Sequence, residues 1–251
     1  MKIFQEYVGI NQTKIIEDAS SKELSDGCGY YIIDKYFEEK SIEKIIKDLI
    51  YIEKEQVILH SLDKENSEYG QIRSPFLYSK FIRNILCSEF ILKLVKKHLV
   101  GNGICHLING QIIRKTINHN QSLWHRDFNK SHISNPIMAF NILCFLGEYD
   151  NFYKFSTLKK SHQFSLIPGS QKSHGYPNIK IEKTISLNPG SLLVFNSQLW
   201  HKVLVTGNDQ LFLNLMFTEP FIKQQINLLG ASKDWIDKNI KKESELARII
   251  G

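Results

Sequence analysis

The sequence predicts an α+β protein whose core is a double-stranded β-helix, a jelly roll of the cupin type, buttressed by N-terminal helices. Before Gly103 the apolar residues recur at helical spacing, whereas after it they fall in short segments rich in β-branched and aromatic residues. About eight such segments follow one another in roughly 115 residues, the number expected for a jelly roll or a sandwich. Helices first and strands later indicate helices that support a β-core.

The chain length is compatible with a single core, because β-rich folds of 251 residues commonly form one domain. We therefore predict one domain over residues 1–251. Within it, residues 24–102 are expected to form the helical support, 103–221 the jelly-roll core and 222–251 a helical tail.

Two amphipathic helices are predicted in the N-terminal part. Residues 41–54 place isoleucine and leucine at helical spacing behind Ser41, which we expect to cap the first turn. Residues 88–99 repeat the pattern, and Gly101 follows as a stop. In the last turn of this second helix, His98 is expected to be a cation that faces the helix dipole.

The strands are predicted from short apolar runs separated by turn residues. In chain order the predicted strand segments read ICHLINGQIIRKTI, SLWHRDF, IMAFNILCFL, FSLIPGS, KTISL, GSLLVFNS, WHKVLV and LFLNLMFTEP.

The charge distribution argues against a nucleic-acid partner. The formal net charge is +6, yet Lys and Arg occur singly or in pairs and never as a run, with acidic residues between them. A small-molecule substrate is the better expectation, and the positive charge is compatible with an anionic one.

Neither a secretory signal nor a membrane span is predicted. The N-terminal 20 residues are interrupted by charged residues, and no later segment approaches the roughly 18 apolar residues of a membrane span. The four cysteines are far apart and form no C-x-x-C pair, which fits a reducing compartment. We expect a cytoplasmic protein that is a monomer or a homodimer, since Trp235 of the tail could pack on the domain or on a second subunit.

The segment SLWHRDF carries the first candidate for chemistry. On a strand, residues two apart share a face, so His125 and Asp127 project together while Trp124 and Arg126 face the other way. One imidazole and one carboxylate at such positions can chelate one metal ion. Alone, the pair is weak evidence, because a surface His-Asp pair is more common than a pair of ligands.

A third candidate ligand lies in the segment PGSLLVFNSQLWHKVLV, where His201 follows a Pro-Gly turn and an apolar strand. Two histidines and one carboxylate form the facial triad that suits non-haem Fe(II) and leaves coordination positions open. His125, Asp127 and His201 are therefore candidate ligands of one metal ion.

Several segments, taken in order, resemble the phytanoyl-CoA dioxygenase-like family of Fe(II)/2-oxoglutarate oxygenases. SDGCGYYIIDKYFEEKSIEKI is similar to the opening strand and helix of that family, and GQIIRKT with LWHRDF to the strand pair that leads into its metal motif. SLIPGSQKSHG and NPGSLLVFNSQLWH are similar to its loop at the cleft and to the strand that delivers the distal histidine.

The resemblance implies a jelly roll in which His125, Asp127 and His201 bind Fe(II). It also implies 2-oxoglutarate and O₂ as cosubstrates, and hydroxylation or another oxidation of a small molecule or biosynthetic intermediate. The metal and the cosubstrate supply the difficult chemistry, while the protein positions the target carbon and excludes water.

One position departs from the family pattern. The family anchors the far carboxylate of 2-oxoglutarate with an arginine on the last core strand, where this chain has Gln210. Arg114 or Lys115, which point to opposite faces of the strand before the metal motif, could supply the cation instead, and the family favours Lys115. Gln111, on the first core strand, could line the same pocket or lie at an edge of the sheet.

Gln210 is also compatible with two further alternatives. The protein could use a different or smaller keto acid. It could also have kept the fold and the metal while losing turnover, and act as a metal-binding jelly roll that is a binding protein or a pseudoenzyme.

Overall fold

The structure is a computed structural model of the full chain, and it describes residues 21–64, 69–113, 123–128, 137–147, 153–163, 182–204, 209–224, 228 and 245–250. The helices are α1 Ser21–Ser25, α2 Glu39–Leu59, α3 Lys80–Leu86, α4 Glu89–His98 and α5 Glu245–Ile250. Short 3₁₀ turns cover Pro75–Leu77 and Ser161–Gln163.

The described residues contain nine strands in two antiparallel sheets. They are β1 Tyr30–Ile33, β2 Gln71–Arg73, β3 Ile104–Ile113, β4 Ala139–Phe145, β5 Tyr153–Leu158, β6 Glu182–Leu187, β7 Leu192–Asn196, β8 His201–Leu204 and β9 Gln210–Thr218. The major sheet has six strands in the order β1-β7-β4-β9-β3-β2, and the minor sheet has three in the order β6-β5-β8.

The core has two parts because the major sheet carries buried apolar residues on both of its faces. One face packs against α2, α3 and α4, and residues such as Leu49, Phe90 and Leu213 are fully buried there. The other face meets the minor sheet, where Phe145, Phe155 and Phe195 belong to a second cluster between the two sheets. The helices therefore cover the outer side of the major sheet, and the space between the sheets is left for a site.

The N-terminal part contributes strands as well as helices to this arrangement. β1 pairs with β7 at one edge of the major sheet, and β2 pairs with β3 at the other. Residues 24–102, predicted as helical support, thus also extend the sheet at both edges. β2 has three residues, too few to show a period in the sequence.

The two predicted helices differ in how their N-termini are capped. Ser88 caps α4 as expected, because its hydroxyl accepts a hydrogen bond from the Ile91 N–H at 3.3 Å. The prediction that Ser41 caps α2 is wrong: the helix begins at Glu39, and Ser41 is buried inside its first turn. Glu38 takes the cap position without a side-chain hydrogen bond.

The prediction of a cationic His98 is also wrong. His98 is buried in the last turn of α4, where its Nε2 lies 2.7 Å from the Tyr31 hydroxyl and its ring meets Phe140 edge to face. Burial, followed by the neighbouring Lys97, lowers the pKa of His98 to about 4. The imidazole is neutral at pH 7 and joins α4 to the sheet by packing.

The strand predictions from Gly103 onward hold for six segments and differ in two places. SLWHRDF forms a single antiparallel bridge at His125 instead of a strand, and β5 lies in a segment that was not predicted as a strand. The predicted strand FSLIPGS lies outside the described residues. In the part of the chain that the structure describes, no helix is long and apolar enough to cross a membrane.

Candidate metal centre

The backbone brings His125 and His201 together at the edge of the minor sheet. The two residues are bridge partners, since His125 N–H donates to the His201 carbonyl oxygen and His201 N–H donates to the His125 carbonyl oxygen, both at 3.0 Å. Side chains of directly opposed residues in an antiparallel pair lie on the same face. The two imidazole rings accordingly sit side by side, with centroids 4.3 Å apart.

A second backbone contact fixes the position of Asp127. Phe128 N–H donates to the carbonyl oxygen of Ser197 at 2.9 Å, so the short segment is held on both sides of Asp127. Asp127 Oδ1 then lies 3.5 Å from His125 Nε2 and 3.7 Å from His201 Nε2. The structure therefore brings together the three residues that the sequence singled out as ligands.

The tripeptide Leu-Trp-His occurs twice and sets the same proton arrangement on both histidines. His125 Nδ1 lies 2.8 Å from the carbonyl oxygen of Leu123, and His201 Nδ1 lies 2.9 Å from that of Leu199. A carbonyl oxygen only accepts, so each Nδ1–H donates, and in the neutral ring Nε2 then carries the lone pair. Both lone pairs are available to a ligand beside Asp127.

The donor set fits a divalent metal ion. The candidate ligand atoms of His125, Asp127 and His201 all lie within 4.8 Å of one another. Two atoms that each bind one metal at about 2.1 Å lie roughly 3.0–3.4 Å apart, so the spacing of the centre is close to that of a shared ion. His125 Nε2 is buried with no hydrogen-bond partner among the described residues, a position that a metal ion would satisfy.

Burial keeps His201 neutral and therefore able to bind a metal. Its side chain is 4% exposed, with Phe155 stacked on it at 5.1 Å and Phe195 edge-on at 4.9 Å. Burial, and then His125, lower the pKa of His201 to about 4, while Asp127 acts in the opposite direction. A neutral imidazole is the form that coordinates metal ions.

Asn141 holds the carboxylate of Asp127 from the major sheet. Its Nδ2 donates to Asp127 Oδ2 at 2.8 Å and to Asn214 Oδ1 at 3.0 Å, and its Oδ1 accepts from the Ser197 hydroxyl. Both amide hydrogens and the oxygen of Asn141 are thereby used. Because Oδ2 is bound by Asn141, the carboxylate turns Oδ1 toward the two histidines.

Three residues of the centre, Asn141, Asn214 and Ser197, were not predicted from the sequence. Two of them carried a usable signal, since Asn141 and Asn214 each interrupt an apolar run, in AFNILCF and LFLNLMF. A carboxamide in the middle of a strand that is otherwise buried requires a polar partner between the sheets.

Two cation–aromatic pairs flank the histidine bridge on its other side. Trp124 lies opposite Lys202, whose Nζ is 4.4 Å from the indole centroid, and Arg126 lies opposite Trp200 at 5.0 Å. Arg126 faces away from the metal side as expected, and its Nη2 donates to the Ser161 carbonyl oxygen at 2.7 Å. Burial lowers the pKa of Arg126 to about 10. These pairs close the outer surface behind the ligands.

The residues predicted to bind the cosubstrate fall into two groups. Gln210 is buried at the start of β9 opposite Ile113, on the face of the sheet that carries Asn214. Gln111 is buried on the same face of β3, where its Nε2 donates to Gln71 Oε1 at 2.7 Å. Arg114 and Lys115 lie outside the described residues.

Comparison with known proteins identifies relatives without establishing a family. No protein-family model matches the chain. The uncharacterized proteins Mb1539 of Mycobacterium bovis and Rv1501 of Mycobacterium tuberculosis are each 26% identical over 239 residues, which cover 88% of this chain and 84% of theirs. The "Probable alpha-ketoglutarate-dependent hypophosphite dioxygenase" of Stutzerimonas stutzeri is 27% identical over 165 residues, 61% of this chain and 54% of that protein.

Solved structures establish the fold. HygX from Streptomyces hygroscopicus, solved with nickel and 2-oxoglutarate bound, matches 81% of this chain and 88% of its own at 15% identity and a TM-score of 0.57. SnoN, a non-heme alpha ketoglutarate dependent epimerase from nogalamycin biosynthesis, matches 85% and 88% at 11% identity and a TM-score of 0.60. The prediction of an α+β jelly roll with supporting helices is confirmed.

Proposed function

We propose that this protein is a non-haem Fe(II)- and 2-oxoglutarate-dependent oxygenase that oxidises a small molecule. The observation that carries the proposal is the pair of histidines whose Nδ1 protons are donated to backbone carbonyls, which leaves both Nε2 lone pairs directed at Asp127. Two imidazoles and one carboxylate are the ligand set typical of Fe(II) oxygenases.

The comparisons support the same proposal. Two proteins with this fold, HygX and SnoN, are associated with 2-oxoglutarate in the names of their structures, and one relative in sequence is named as a dioxygenase that depends on it. More specifically, we propose that the protein belongs to the phytanoyl-CoA dioxygenase-like family. The ordered motifs that resemble that family support this.

His125, Asp127 and His201 would hold the metal on one side of the space between the sheets. When bound, iron and 2-oxoglutarate together supply the oxidation of an unactivated C–H bond by O₂, with succinate and CO₂ as the other products. The chain contributes the rest: Asn141 orients the carboxylate, and Phe155 and Phe195 pack beside His201 and exclude water from that side.

Gln210 supports a second candidate, a metal-binding jelly roll that has lost or altered the use of 2-oxoglutarate. Its side chain is buried on the inner face of β9 and supplies no positive charge there. A carboxamide can donate hydrogen bonds to a carboxylate but lacks the charge and the paired donors of an arginine.

Anaerobic titration separates the two candidates. We expect the protein with Fe(II) to develop a visible charge-transfer absorbance when 2-oxoglutarate is added, and succinate to accumulate after exposure to O₂. A protein that binds Fe(II) but gives neither the absorbance nor succinate would be the binding protein, and the oxygenase proposal would then be wrong.

The triad variants provide the control. Substitution of His125, Asp127 or His201 by Ala removes one of three ligands, and we expect the Fe(II) stoichiometry and the absorbance to be lost. Full iron stoichiometry in all three variants would contradict the assignment of the centre.

A further inference from the structure

A row of polar side chains crosses the inner face of the major sheet toward the metal centre. The strand register places Arg73 of β2 opposite Asn109 of β3, and Asn109 opposite Asn214 of β9. Opposed residues of adjacent strands project to the same face. Arg73 therefore shares a face with Asn214, which accepts a hydrogen bond from Asn141, the residue that holds Asp127.

The backbone of Arg73 is held from the helical side by Gln56 of α2. The Gln56 side chain accepts from the Arg73 N–H at 2.9 Å and donates to the Arg73 carbonyl oxygen at 2.8 Å. Gln56 is itself buried. These two hydrogen bonds extend the ladder of the sheet beyond its edge strand. The short strand β2 is therefore held by β3 on one side and by Gln56 on the other.

The guanidinium of Arg73 is directed inward by Asn109. In the amide orientation that satisfies both polar atoms of Asn109, its oxygen accepts from Arg73 Nη1 at 2.7 Å and its nitrogen donates to the Ile108 carbonyl oxygen at 2.9 Å. This bond places Arg73 Nη1 beside the side chain of Asn109. Asn109 is paired with Asn214 on the adjacent strand, and adjacent strands are about 4.8 Å apart.

The other cation at an inward position of the described strands is Lys183 of β6, and it lies in a different environment. Lys183 sits at an exposed edge with its Nζ 5.8 Å from the centroid of Tyr30. Phe155 and Phe195 belong to the apolar cluster on that side and pack against His201. Among the inward positions of the described strands, Arg73 is thus the cation on the polar side of the centre.

The charges at the centre call for one cation. A divalent metal, the carboxylate of Asp127 and the dianion 2-oxoglutarate together leave one negative charge, at the carboxylate far from the metal. An ionised carboxylate in a largely buried site requires a charged or multiple hydrogen-bond partner. Gln210 supplies no charge.

Building on the proposed function, we propose that Arg73 binds the distal carboxylate of 2-oxoglutarate and selects for a keto acid with that second carboxylate. Its guanidinium can give the carboxylate two parallel hydrogen bonds. Gln111 and Gln210, on the same face, complete the polar side of the pocket. In this arrangement the edge strand β2 supplies the cation that the resembled family carries on its last core strand.

Comparison of two keto acids tests Arg73. Both 2-oxoglutarate and 2-oxobutyrate can chelate iron through the keto oxygen and the adjacent carboxylate, but 2-oxobutyrate has no distal carboxylate. Each would be titrated anaerobically into the Fe(II)-loaded protein, and Kd read from the charge-transfer absorbance. Wild type should prefer 2-oxoglutarate. Arg73→Gln should weaken 2-oxoglutarate binding by at least about tenfold and leave 2-oxobutyrate binding within about twofold.

Two further variants sharpen the test. Arg73→Lys keeps the charge but loses the paired donors of the guanidinium, so it should retain part of the preference for 2-oxoglutarate. Lys183→Gln removes the other inward cation and should bind both acids as wild type does. Unchanged 2-oxobutyrate binding in Arg73→Gln shows that the variant is folded with an intact metal centre.

The inference and the proposed function fail in different ways. Retention of the full preference by Arg73→Gln would overturn the role of Arg73, as would loss of the preference in Arg114→Gln or Lys115→Gln instead. If the wild type binds iron but neither keto acid, the proposed function itself fails, and the role of Arg73 fails with it.

Discussion

At the metal centre, local backbone geometry determines which ring nitrogen carries the proton in the neutral form of both imidazoles. His125 and His201 each donate a proton from Nδ1 to the carbonyl of the leucine two residues earlier. The repeated tripeptide Leu-Trp-His therefore encodes a ring orientation as well as a ligand. The hydrogen-bonded pairing of the two histidines across the bridge then brings the free Nε2 atoms to one point.

The role of Asn141 can be tested by substitution. Asn141→Ala removes the donor that holds Asp127 Oδ2, so the carboxylate can turn away from the histidines. We expect Fe(II) affinity to fall by about 10–100-fold, the usual effect of losing a group that orients a metal ligand. Competition with a chelator of known affinity would measure the change.

Asn188 provides a matched control for Asn141. It also donates from its amide to an aspartate, Asp34 Oδ1 at 3.1 Å, but in the turn before β7 instead of at the centre. Asn188→Ala should leave the iron affinity as in wild type. Equal losses in both variants would show that the effect of Asn141 is one of general stability.

At the scale of single elements, the sequence predicted helices better than short strands. An amphipathic helix repeats its pattern over several turns, and α4 accordingly ends within one residue of the prediction. The described part of the segment SLWHRDF makes a single bridge to β8. Two backbone hydrogen bonds at His125 and one at Phe128 hold it in place. Alternation was sufficient to pair His125 with Asp127, but it could not distinguish a strand from an anchored bend.

His98 shows why the position of a residue in a helix does not determine its charge. Its place in the last turn of α4 favours a cation, but that face of the helix lies on Tyr31 and Phe140. Desolvation of a charged imidazole outweighs a dipole interaction of about 1 kcal/mol. Tertiary packing, which no local pattern contains, therefore decides the protonation state.

Docking of α4 should depend on pH through His98. The pKa of His98 is about 4 in the folded protein and about 6.5 in an unfolded chain. At this residue the unfolded state binds more protons between these values, so His98 should contribute a fall in the free energy of unfolding, on the order of 2–3 kcal/mol, as the pH is lowered from about 6.5 to 4. Denaturant unfolding at several pH values would measure this.

Two variants assign the pH dependence to His98. His98→Gln removes one titrating group and should lessen the fall between pH 6.5 and 4 by on the order of 2–3 kcal/mol, leaving the part that comes from His201, whose pKa burial also lowers to about 4. Tyr31→Phe removes the hydroxyl but keeps the burial, which is the larger cause, so the slope should persist. A slope in His98→Gln as steep as in wild type would show that other groups are responsible.

At the scale of the whole molecule, the space between the sheets is divided into two halves. Phe145, Phe155 and Phe195 fill one half, and Asn109, Asn141 and Asn214 lie in the other with Gln111, Gln210 and Arg73. The triad lies at their boundary, since His201 packs on the phenylalanines and Asp127 contacts Asn141. One half is suited to exclude water and the other to hold a polar ligand.

The same division explains which parts of the fold and of the site could be predicted from the sequence. Fold class and the three candidate ligands depend on periodicities and motifs that lie within single segments. The polar half depends on register across β2, β3 and β9, which are far apart in the chain. Arg73 does not stand out in the sequence for this reason: its strand has three residues, and only the pairing with β3 shows its direction.

Metal binding should stabilise the whole fold, because the ligands join the bridge segment to β8. A ligand that binds only the folded state adds about 2.7 kcal/mol at 100 times its Kd. For a chain of this size that corresponds to a rise in Tm of about 5–10 °C. We expect this rise when Fe(II) is added anaerobically to the metal-free protein, as measured by differential scanning calorimetry, and its reversal by a chelator.

The same measurement on variants tests whether the stabilisation comes from the triad. His201→Ala lowers the number of ligands to two and can change Tm in the absence of metal, so the quantity to compare is the shift that Fe(II) produces. That shift should be lost in His201→Ala and in Asp127→Ala, and retained in Lys183→Gln, which changes an inward cation on the apolar side. An Fe(II)-induced shift of wild-type size in both ligand variants would mean that the ion stabilises the protein from another site, because a centre reduced to two ligands cannot preserve the full linkage between folding and binding.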